Sequence, residues 1–354
     1  MKIVLTGGGT AGHCLPHLAV LPYLKQKFER VDYIGSHHGI ERDIVERIEI
    51  PYHAVTTAKL RRSITPSNLL IPVRLLKGIT ESKRLLSELK PDVIFSKGGY
   101  VALPVVIAAK SLKIPVVAHE SDLTVGLANK LSSRYASRML TSFPETATSL
   151  PRAVYTGAPV REELLNGNRE LARKKYKLTG KRPVLLVVGG SSGATALNTA
   201  VRQILPELTE KFQVLHLTGR GNADMSLRRK GYIQVEYEPD MASAYAAADI
   251  AVSRAGAGAV FELIACRIPS LLIPLPRTAS RGDQILNAEY FTRRGLTMTL
   301  LQENLTKQAL LRAIDRLYKE KSTYLSAMTR SPVQLGNADI CREILWTAER
   351  GKRG

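Results

Sequence analysis

Three stretches of this sequence carry side chains at spacings suited to chemistry on a phosphorylated ligand. The first is Gly7-Gly8-Gly9-Thr10-Ala11-Gly12-His13, directly after the apolar run Lys2 to Thr6. Gly7, Gly9 and Gly12 satisfy a G-x-G-x-x-G spacing, which lets a phosphate approach backbone amides where a helix begins. A dinucleotide site would also need an acid at the end of the second strand to hold a ribose. Here Val31-Asp32-Tyr33-Ile34 runs into Gly35-Ser36-His37, so a nicotinamide dinucleotide is disfavoured. His13 falls in the first helical turn, where the positive end of the helix dipole disfavours the imidazolium. A neutral imidazole there suits a general base; the alternative is a helix-start histidine held by a backbone carbonyl.

The second stretch, Gly189-Gly190-Ser191-Ser192-Gly193, is another amide-rich turn after an apolar run. The third, Arg254-Ala255-Gly256-Ala257-Gly258, opens a helix of small residues that carries Glu262 in its first or second turn. Such a helix start can receive a diphosphate, and a carboxylate one turn further in can accept hydrogen bonds from both hydroxyls of a ribose. A solvated or capping acid is the competing reading of Glu262.

These motifs need strands and helices to place them. Short β-rich runs at Lys2 to Thr6, Val31 to Ile34, Val93 to Ser96, Val116 to Ala118, Val184 to Val188, Val214 to Leu217, Ile250 to Ser253 and Leu271 to Leu275 alternate with helical patterns. That alternation predicts an α/β fold with doubly wound parallel sheets. The chain also echoes itself: KIVLTGGGTAGH at 2 to 13 is answered by PVLLVVGGSSGA at 183 to 194. Likewise Asp92-Val-Ile-Phe-Ser-Lys-Gly-Gly99 is answered by Asp249-Ile-Ala-Val-Ser-Arg-Ala-Gly256. Two Rossmann-like domains in tandem are therefore expected, with Val160 to Lys181 as the crossover and a last helix over Asp339 to Arg350 whose destination the sequence leaves open.

Length agrees, because 354 residues exceed the roughly 250 at which single cores stop growing. The composition is that of an ordinary globular protein, 44% hydrophobic and 23% charged. A net charge of +20 points to an anionic partner or surface, without choosing among nucleic acid, lipid and phosphorylated ligand. Nucleic acid is disfavoured because aromatic residues are 6% of the chain and none interleave with a basic groove. Cys14, Cys266 and Cys341 are odd in number and far apart, which fits a reducing compartment and offers no metal or redox pair. The N-terminus lacks a signal-peptide pattern and no run approaches the roughly 20 apolar residues of a membrane span, so membrane contact is expected to be peripheral. Between Lys59 and Lys90, Lys59, Arg61, Arg62, Arg74, Lys77, Lys83, Arg84 and Lys90 face only Glu81 and Glu88 and interleave with Leu69, Leu70, Ile71, Val73, Leu75 and Leu76. This reads as an interfacial anchor for anionic lipid, at about 1 kcal/mol per basic residue, or else as an ordinary amphipathic helix.

Taken in order, GGGTAGH, SKGGYVALP, HESDLTVG, GAPVR, VVGGSSGA, RAGAGAVFE and RGDQILNA at 281 to 288 resemble the MurG family over nearly the whole chain. The resemblance implies a GT-B fold, two Rossmann-like domains facing a central cleft. It implies an acceptor and membrane-binding domain at 1 to 160, joined by 333 to 354 if the last helix packs back, and a UDP-sugar domain at 161 to 332. The activity implied is inverting transfer of N-acetylglucosamine from UDP-N-acetylglucosamine to the C4 hydroxyl of the muramyl sugar of undecaprenyl-linked lipid I. The implied partners are those two substrates and an anionic membrane at its cytoplasmic face, with no nucleic acid. Diacylglycerol glucosyltransferases and UDP-N-acetylglucosamine 2-epimerases are the rival readings of the same donor half.

The residues carried over on the donor side are Thr10, Gly12, Arg161, Ser191, Tyr237, Met241, Arg254, Gly256, Ala257, Glu262, Asp283 and Gln284. Arg161, Thr10 and Gly12 also match positions near the acceptor, beside Gly8, Gly9 and Tyr100. His13 or Asp122 is the expected catalytic base. Two departures accompany the match: the usual His-Glu-Gln-Asn reads His119-Glu120-Ser121-Asp122, and a usual Gln-Gln reads Asp283-Gln284. No cofactor is required by the sequence and no protein metal site is expected; magnesium is left as a loose companion of the nucleotide.

Overall fold

The computed structural model describes residues 1–58, 70–190, 193–330 and 333–353. The chain divides into two compact units, Met1–Val160 with Gln334–Gly354, and Arg161–Val333. The first unit is built on strands β1 (Lys2–Thr6), β2 (Arg30–Ser36), β3 (Tyr52–Val55), β4 (Val93–Ser96), β5 (Val116–Glu120), β6 (Arg138–Thr141) and β7 (Ala153–Tyr155). They form one parallel sheet in the order β3-β2-β1-β4-β5-β6-β7. The second unit holds β8 (Val184–Val188), β9 (Gln213–Leu217), β10 (Tyr232–Val235), β11 (Ile250–Ser253), β12 (Ser270–Leu272) and β13 (Met298–Thr299), parallel in the order β10-β9-β8-β11-β12-β13.

Parallel sheets of this kind need helices on both faces, which is why their central strands read as unbroken apolar runs. In the first unit Leu21 and Leu24 of helix Ala11–Lys27 cover one face together with Ile340, Ile344 and Ala348 of helix Asn337–Arg353. Leu86 of helix Ile71–Leu89 and Val105, Val106 and Ala109 of helix Ala102–Ser111 cover the other. The second sheet is wrapped in the same way, by Leu197, Leu208 and Leu310 on one face and Ala172, Ala244 and Leu263 on the other.

The two echoes in the sequence have a common physical origin. Asp92 accepts the Lys2 N–H at 2.7 Å through Oδ2 and donates its own N–H to the Lys2 carbonyl at 2.9 Å. Asp249 does the same to Val184, at 2.8 and 2.9 Å. Each aspartate locks the start of the fourth strand of its unit against the start of the first. As a result Thr6 stands level with Ser96, and Val188 level with Ser253.

The structure differs from the sequence expectation in three respects. The strand expected over Leu271 to Leu275 ends at Leu272, because Pro274 has no N–H to give to a ladder and the chain turns away there. The stretch Val160 to Lys181, expected as a crossover, is part of the second unit's core from Arg161 on: Leu164, Ala172, Tyr176 and Leu178 are buried there around the helix Arg169–Lys175. Strands β3, β6, β7, β10 and β13 are too short and too mixed in polarity to have stood out.

The last helix returns to the first unit, and Asn337 anchors it. Its Oδ1 accepts the Val160 N–H at 3.1 Å and its Nδ2 donates to the Val160 carbonyl at 2.7 Å, a strand-like pairing made by a side chain. Gly336 lies where a β-carbon would meet the Gly157 carbonyl at 2.7 Å, so only glycine allows this approach. No helix among the described residues is long and apolar enough to cross a membrane. All three cysteines are free thiols.

Replacing Asn337 with alanine strands the buried N–H and C=O of Val160 and should cost about 2–3 kcal/mol, measured as a lower urea midpoint for the first unit; an unchanged midpoint would show that the anchor is dispensable. A second expectation concerns buried His216, whose ring nitrogens meet Asn198 Oδ1 and the Tyr232 hydroxyl, each at 3.0 Å. Burial, helped by the nearby Arg202 charge, pushes its pKa down to about 3. Because the folded value lies below the unfolded value near 6.5, the stabilisation is complete above that pH and fades as pH falls towards 3, at up to about 1.4 kcal/mol per unit. His216→Gln should flatten this slope in pH-dependent unfolding, and equal slopes for both proteins would refute the assignment.

Candidate active site

In the first unit the glycine loop leaves β1 and the segment Lys97 to Tyr100 leaves β4, side by side. The loop is held from behind by a carboxylate absent from the expected set. Glu41, fully buried, accepts the Gly9 N–H at 3.1 Å through Oε2 and the Ser36 N–H at 3.2 Å through Oε1, with the Ser36 hydroxyl also on Oε1. A β-carbon on Gly8 would meet this carboxylate at 2.6 Å, and one on Gly9, whose φ is +85°, would strike the Tyr100 ring at 2.4 Å. The glycines are therefore needed for packing against Glu41 and Tyr100 as well as for open amides.

His13 is the third residue of its helix. Its N–H donates to the Thr10 carbonyl at 3.1 Å, and its Nδ1 pairs with the Thr10 hydroxyl at 2.9 Å, which fixes the ring. A β-carbon on Gly99 would lie 3.2 Å from that Nδ1 and 2.3 Å from the Gly8 carbonyl. Gly8, Gly9, Thr10, His13 and Tyr100 thus converge, with Gly12 exposed at the rim. Thr10 and Gly12, also carried over for the donor, stand on this first-unit loop and share no element with the other donor residues.

Asp122 lies in the loop after β5, which is hung from Glu120. The Glu120 carboxylate accepts the Asp122 N–H at 3.1 Å, the Gly126 N–H at 2.8 Å and the Asn129 side-chain amide at 3.0 Å. Below that loop Lys97 is buried, its Nζ donating to the Ser121 hydroxyl at 2.7 Å and touching Nδ1 of His119.

In the second unit the helix Ala257–Ala265 starts at the end of β11 with Gly256 as its N-cap. Nothing lies within 4 Å of a β-carbon built on Gly256 or Gly258, so the fold leaves space over this helix start that its own packing does not require. Glu262, further along, is largely buried and held from two sides. Its Oε1 accepts from Arg161 Nη2 at 3.2 Å and Nε at 3.3 Å, and its Oε2 accepts the Tyr245 hydroxyl at 3.0 Å. Burial raises its pKa and the Arg161 charge opposes that rise. A carboxylate offers about four lone-pair positions, so these contacts orient Glu262 and leave capacity for a ligand hydroxyl.

The Arg254 guanidinium, carried over for the donor side, is buried, with Nη1 donating to the carbonyls of Ile273 at 2.9 Å and Pro274 at 3.3 Å. It braces the loop after β12. Gln284, beside Asp283 at the start of helix Asp283–Arg293, reaches the same loop by accepting the Leu275 N–H at 3.1 Å. Asp283 lies 3.5 Å from Arg281. Asn287 of this helix donates to the Ala255 carbonyl at 3.3 Å and so ties it to the Arg254 turn. Ala257 is buried in the first helical turn. Met241 starts the helix that carries Tyr245, and Tyr237, exposed in the loop before it, stacks under the Arg220 guanidinium at 4.5 Å. Ser191 lies outside the described residues, as do Lys59, Arg61 and Arg62.

Glu41, Tyr245 and Lys97 were missed as functional candidates. Glu41 had a weak signal as an acid in the first turn of helix Ile40–Glu46, but its partner amide on Gly9 is 32 residues away. Among the described residues, no group of three or more His, Cys, Asp or Glu side chains is placed to hold a metal ion.

Residues 3–141 match the glycosyltransferase family 28 N-terminal domain, and residues 184–344 its C-terminal domain. The chain is 50% identical over 337 residues, 94% of its length and 95% of the relative's, to the UDP-N-acetylglucosamine--N-acetylmuramyl-(pentapeptide) pyrophosphoryl-undecaprenol N-acetylglucosamine transferase of Lachnospira eligens. It is 47% identical over 349 residues to the protein of the same name from Geobacillus thermodenitrificans, with 97% of each covered. Among solved structures, Acinetobacter baumannii MurG aligns with a TM-score of 0.73 at 26% identity, covering 97% of this chain and 99% of that one. A UDP-GlcNAc 2-epimerase from Neisseria meningitidis aligns with a TM-score of 0.67 at 14% identity, covering 99% of this chain and 100% of that one, a likeness of fold alone.

The open space over the helix start makes a divergent expectation. Gly258→Ala should leave the free protein as stable or up to about 1 kcal/mol more stable, since alanine is the better helix former, while weakening the thermal shift given by UDP at least tenfold in concentration. A variant that binds UDP normally would show that no ligand uses this space.

Proposed function

We infer the function from the family to which the chain belongs, the MurG branch of glycosyltransferase family 28: it transfers N-acetylglucosamine from UDP-N-acetylglucosamine to undecaprenyl-linked lipid I in peptidoglycan synthesis. Relatives 47–50% identical over nearly the whole chain carry that transferase name, which does not favour the glucosyltransferase and epimerase alternatives. The observation that carries the site assignment is the uncrowded start of helix Ala257–Ala265, with Glu262 already oriented one turn further in by Arg161 and Tyr245.

We propose that the second unit takes the nucleotide sugar. The first-turn amides of that helix receive the diphosphate, aided by its dipole and by the Arg254 charge. Glu262 accepts the ribose hydroxyls, Tyr237 and the segment leading to Met241 face the uracil, and Asp283 and Gln284 face the sugar. Ser191 is retained in this set from the sequence alone. The first unit takes the acceptor, its diphosphate against the glycine loop and Tyr100.

In the reaction the muramyl C4 oxygen forms a bond to the anomeric carbon while the bond from that carbon to UDP breaks, with inversion. His13 is favoured as the base that takes the hydroxyl proton. Thr10 fixes its ring at the start of the helix, on the loop proposed to meet the acceptor. Asp122, in the loop hung from Glu120 and next to the Ser121 hydroxyl that Lys97 holds, is assigned to binding a sugar hydroxyl. Fixed donors at the departing diphosphate stabilise the charge that grows there without reorganising. No resident cofactor is proposed; a magnesium ion, where present, would arrive with the nucleotide.

The work is assigned to the cytoplasmic face of the membrane, with the protein bound peripherally. Helix Ile71–Leu89 supports this: Leu70 before it, and Val73 and Leu76 on it, are 51%, 62% and 66% exposed beside Arg74 and the exposed Lys77. Large apolar side chains in water beside basic residues suit an anionic lipid surface.

Purified protein should release UDP from UDP-N-acetylglucosamine with a lipid I analogue and not with diacylglycerol; the reverse preference overturns the assignment. Glu262→Ala should raise the KM for the donor or lower kcat by about 10- to 100-fold, the range for a lost bond to a charged group, with acceptor KM within twofold. Kinetics equal to the parent protein's would remove Glu262 from the ribose.

A further inference from the structure

The same point of each unit carries a buried cation. Lys97 follows β4 directly and Arg254 follows β11 directly, each five residues after the aspartate that locks the strand starts. The Lys97 N–H donates to the Thr6 carbonyl at 2.9 Å, and the Arg254 N–H to the Val188 carbonyl at 3.4 Å, the equivalent pairing across equivalent strands. Lys97 is 2% exposed and Arg254 9%. Both reach sideways to the segment that ends or follows the next strand of their own sheet. Arg254 donates to the carbonyls after β12, and Lys97 to the Ser121 hydroxyl and His119 at the end of β5.

Burying an ammonium is costly unless opposite charge and hydrogen bonds compensate. Burial pushes the Lys97 pKa down to about 7, and the Glu120 and Asp122 charges pull it back up. The other titratable groups against it are His119 on β5 and His17 on helix Ala11–Lys27, both fully buried and held neutral by burial first and by the Lys97 charge next. Neither histidine supplies negative charge, and the charges that favour the ammonium form of Lys97 are those of Glu120 and Asp122. Glu120 is already committed to the loop amides of Asp122 and Gly126. Asp122 stands where the resemblance leads one to expect an amide.

We propose that Lys97 is a positioning residue for the acceptor, the first unit's counterpart of Arg254: it holds the Ser121–Asp122 turn through the Ser121 hydroxyl and supplies the positive charge that offsets the Asp122 carboxylate. This rests on the reading that the first unit binds the acceptor. Through Asp122 the ammonium would act on acceptor binding and not on the donor, whose proposed contacts Arg161, Glu262 and Gln284 belong to the second unit.

The test is a double-mutant cycle with Lys97→Met, which keeps length and loses charge, and Asp122→Asn, which keeps the shape and removes the carboxylate charge. Lys97→Met should raise the KM for a lipid I analogue about tenfold with the KM for UDP-N-acetylglucosamine within twofold. In the Asp122→Asn background the same change should cost threefold or less, because no carboxylate is left to be compensated. Equal costs in both backgrounds, or a loss shared equally by donor and acceptor, would overturn the proposal. The cycle is read in parallel in the urea-unfolding equilibrium, which needs no acceptor. Coupling there without turnover of lipid I would sink the functional reading and leave Lys97 in place; absence of coupling in both readouts sinks the proposal.

Discussion

The placement of the candidate site residues in each unit depends on the parallel pairing of the first and fourth strands. Asp92 and Asp249 fix the starts of those strands against Lys2 and Val184, and the parallel ladder carries that register to their far ends. Two chain segments then emerge level with each other, a glycine turn from one strand and a cation-bearing turn from the next. At the C-terminal end of a parallel sheet the backbone amides of such turns have no ladder partner, and the following helix adds its own unpaired N–H groups. Both effects favour an anion at the same place, which is the general reason ligands collect there in doubly wound folds.

Charge is handled by a division of labour. Carboxylates lie behind the loops and hold them by their amides: Glu41 holds Gly9, and Glu120 holds Asp122 and Gly126. Cations stand on the turns, with Lys97 and Arg254 sealed from water. Glu262 takes neither role: it is paired to Arg161 and to a tyrosine, on a helix whose start faces open space. Fixing such groups before a ligand arrives means that little reorganisation remains when charge moves to the departing diphosphate. The large positive surplus of the chain is a separate, long-range feature suited to anionic ligands and surfaces.

How far the sequence could be read depended on the range of the interaction behind each signal. Strand runs, glycine turns, small-residue helix starts and the paired Asp-to-Gly echoes are local patterns, and β1, β4, β8 and β11 stand at the expected bounds. The strand at Leu271 was overextended because apolarity continued past the point where Pro274 removes a donor. The segment after Val160 looked like a linker because its charges hide the few apolar residues that it buries.

By itself, then, the sequence determined the class of fold, the eight strands with strong apolar runs and their alternation with helices, the family, and the residues that stand at the ends of those strands. Those follow from periodicity and short-range backbone chemistry, which act between neighbours in the chain. Tertiary structure alone decided the partners: Glu41 on Gly9, Arg161 and Tyr245 on Glu262, Arg254 turned into the loop after β12, Asn337 closing on Val160, and Lys97 under Ser121. Each joins residues from 17 to 177 positions apart. No local pattern can say which buried charge will meet which amide, because the meeting is set by sheet order and by the need to pair every polar group that folding removes from water.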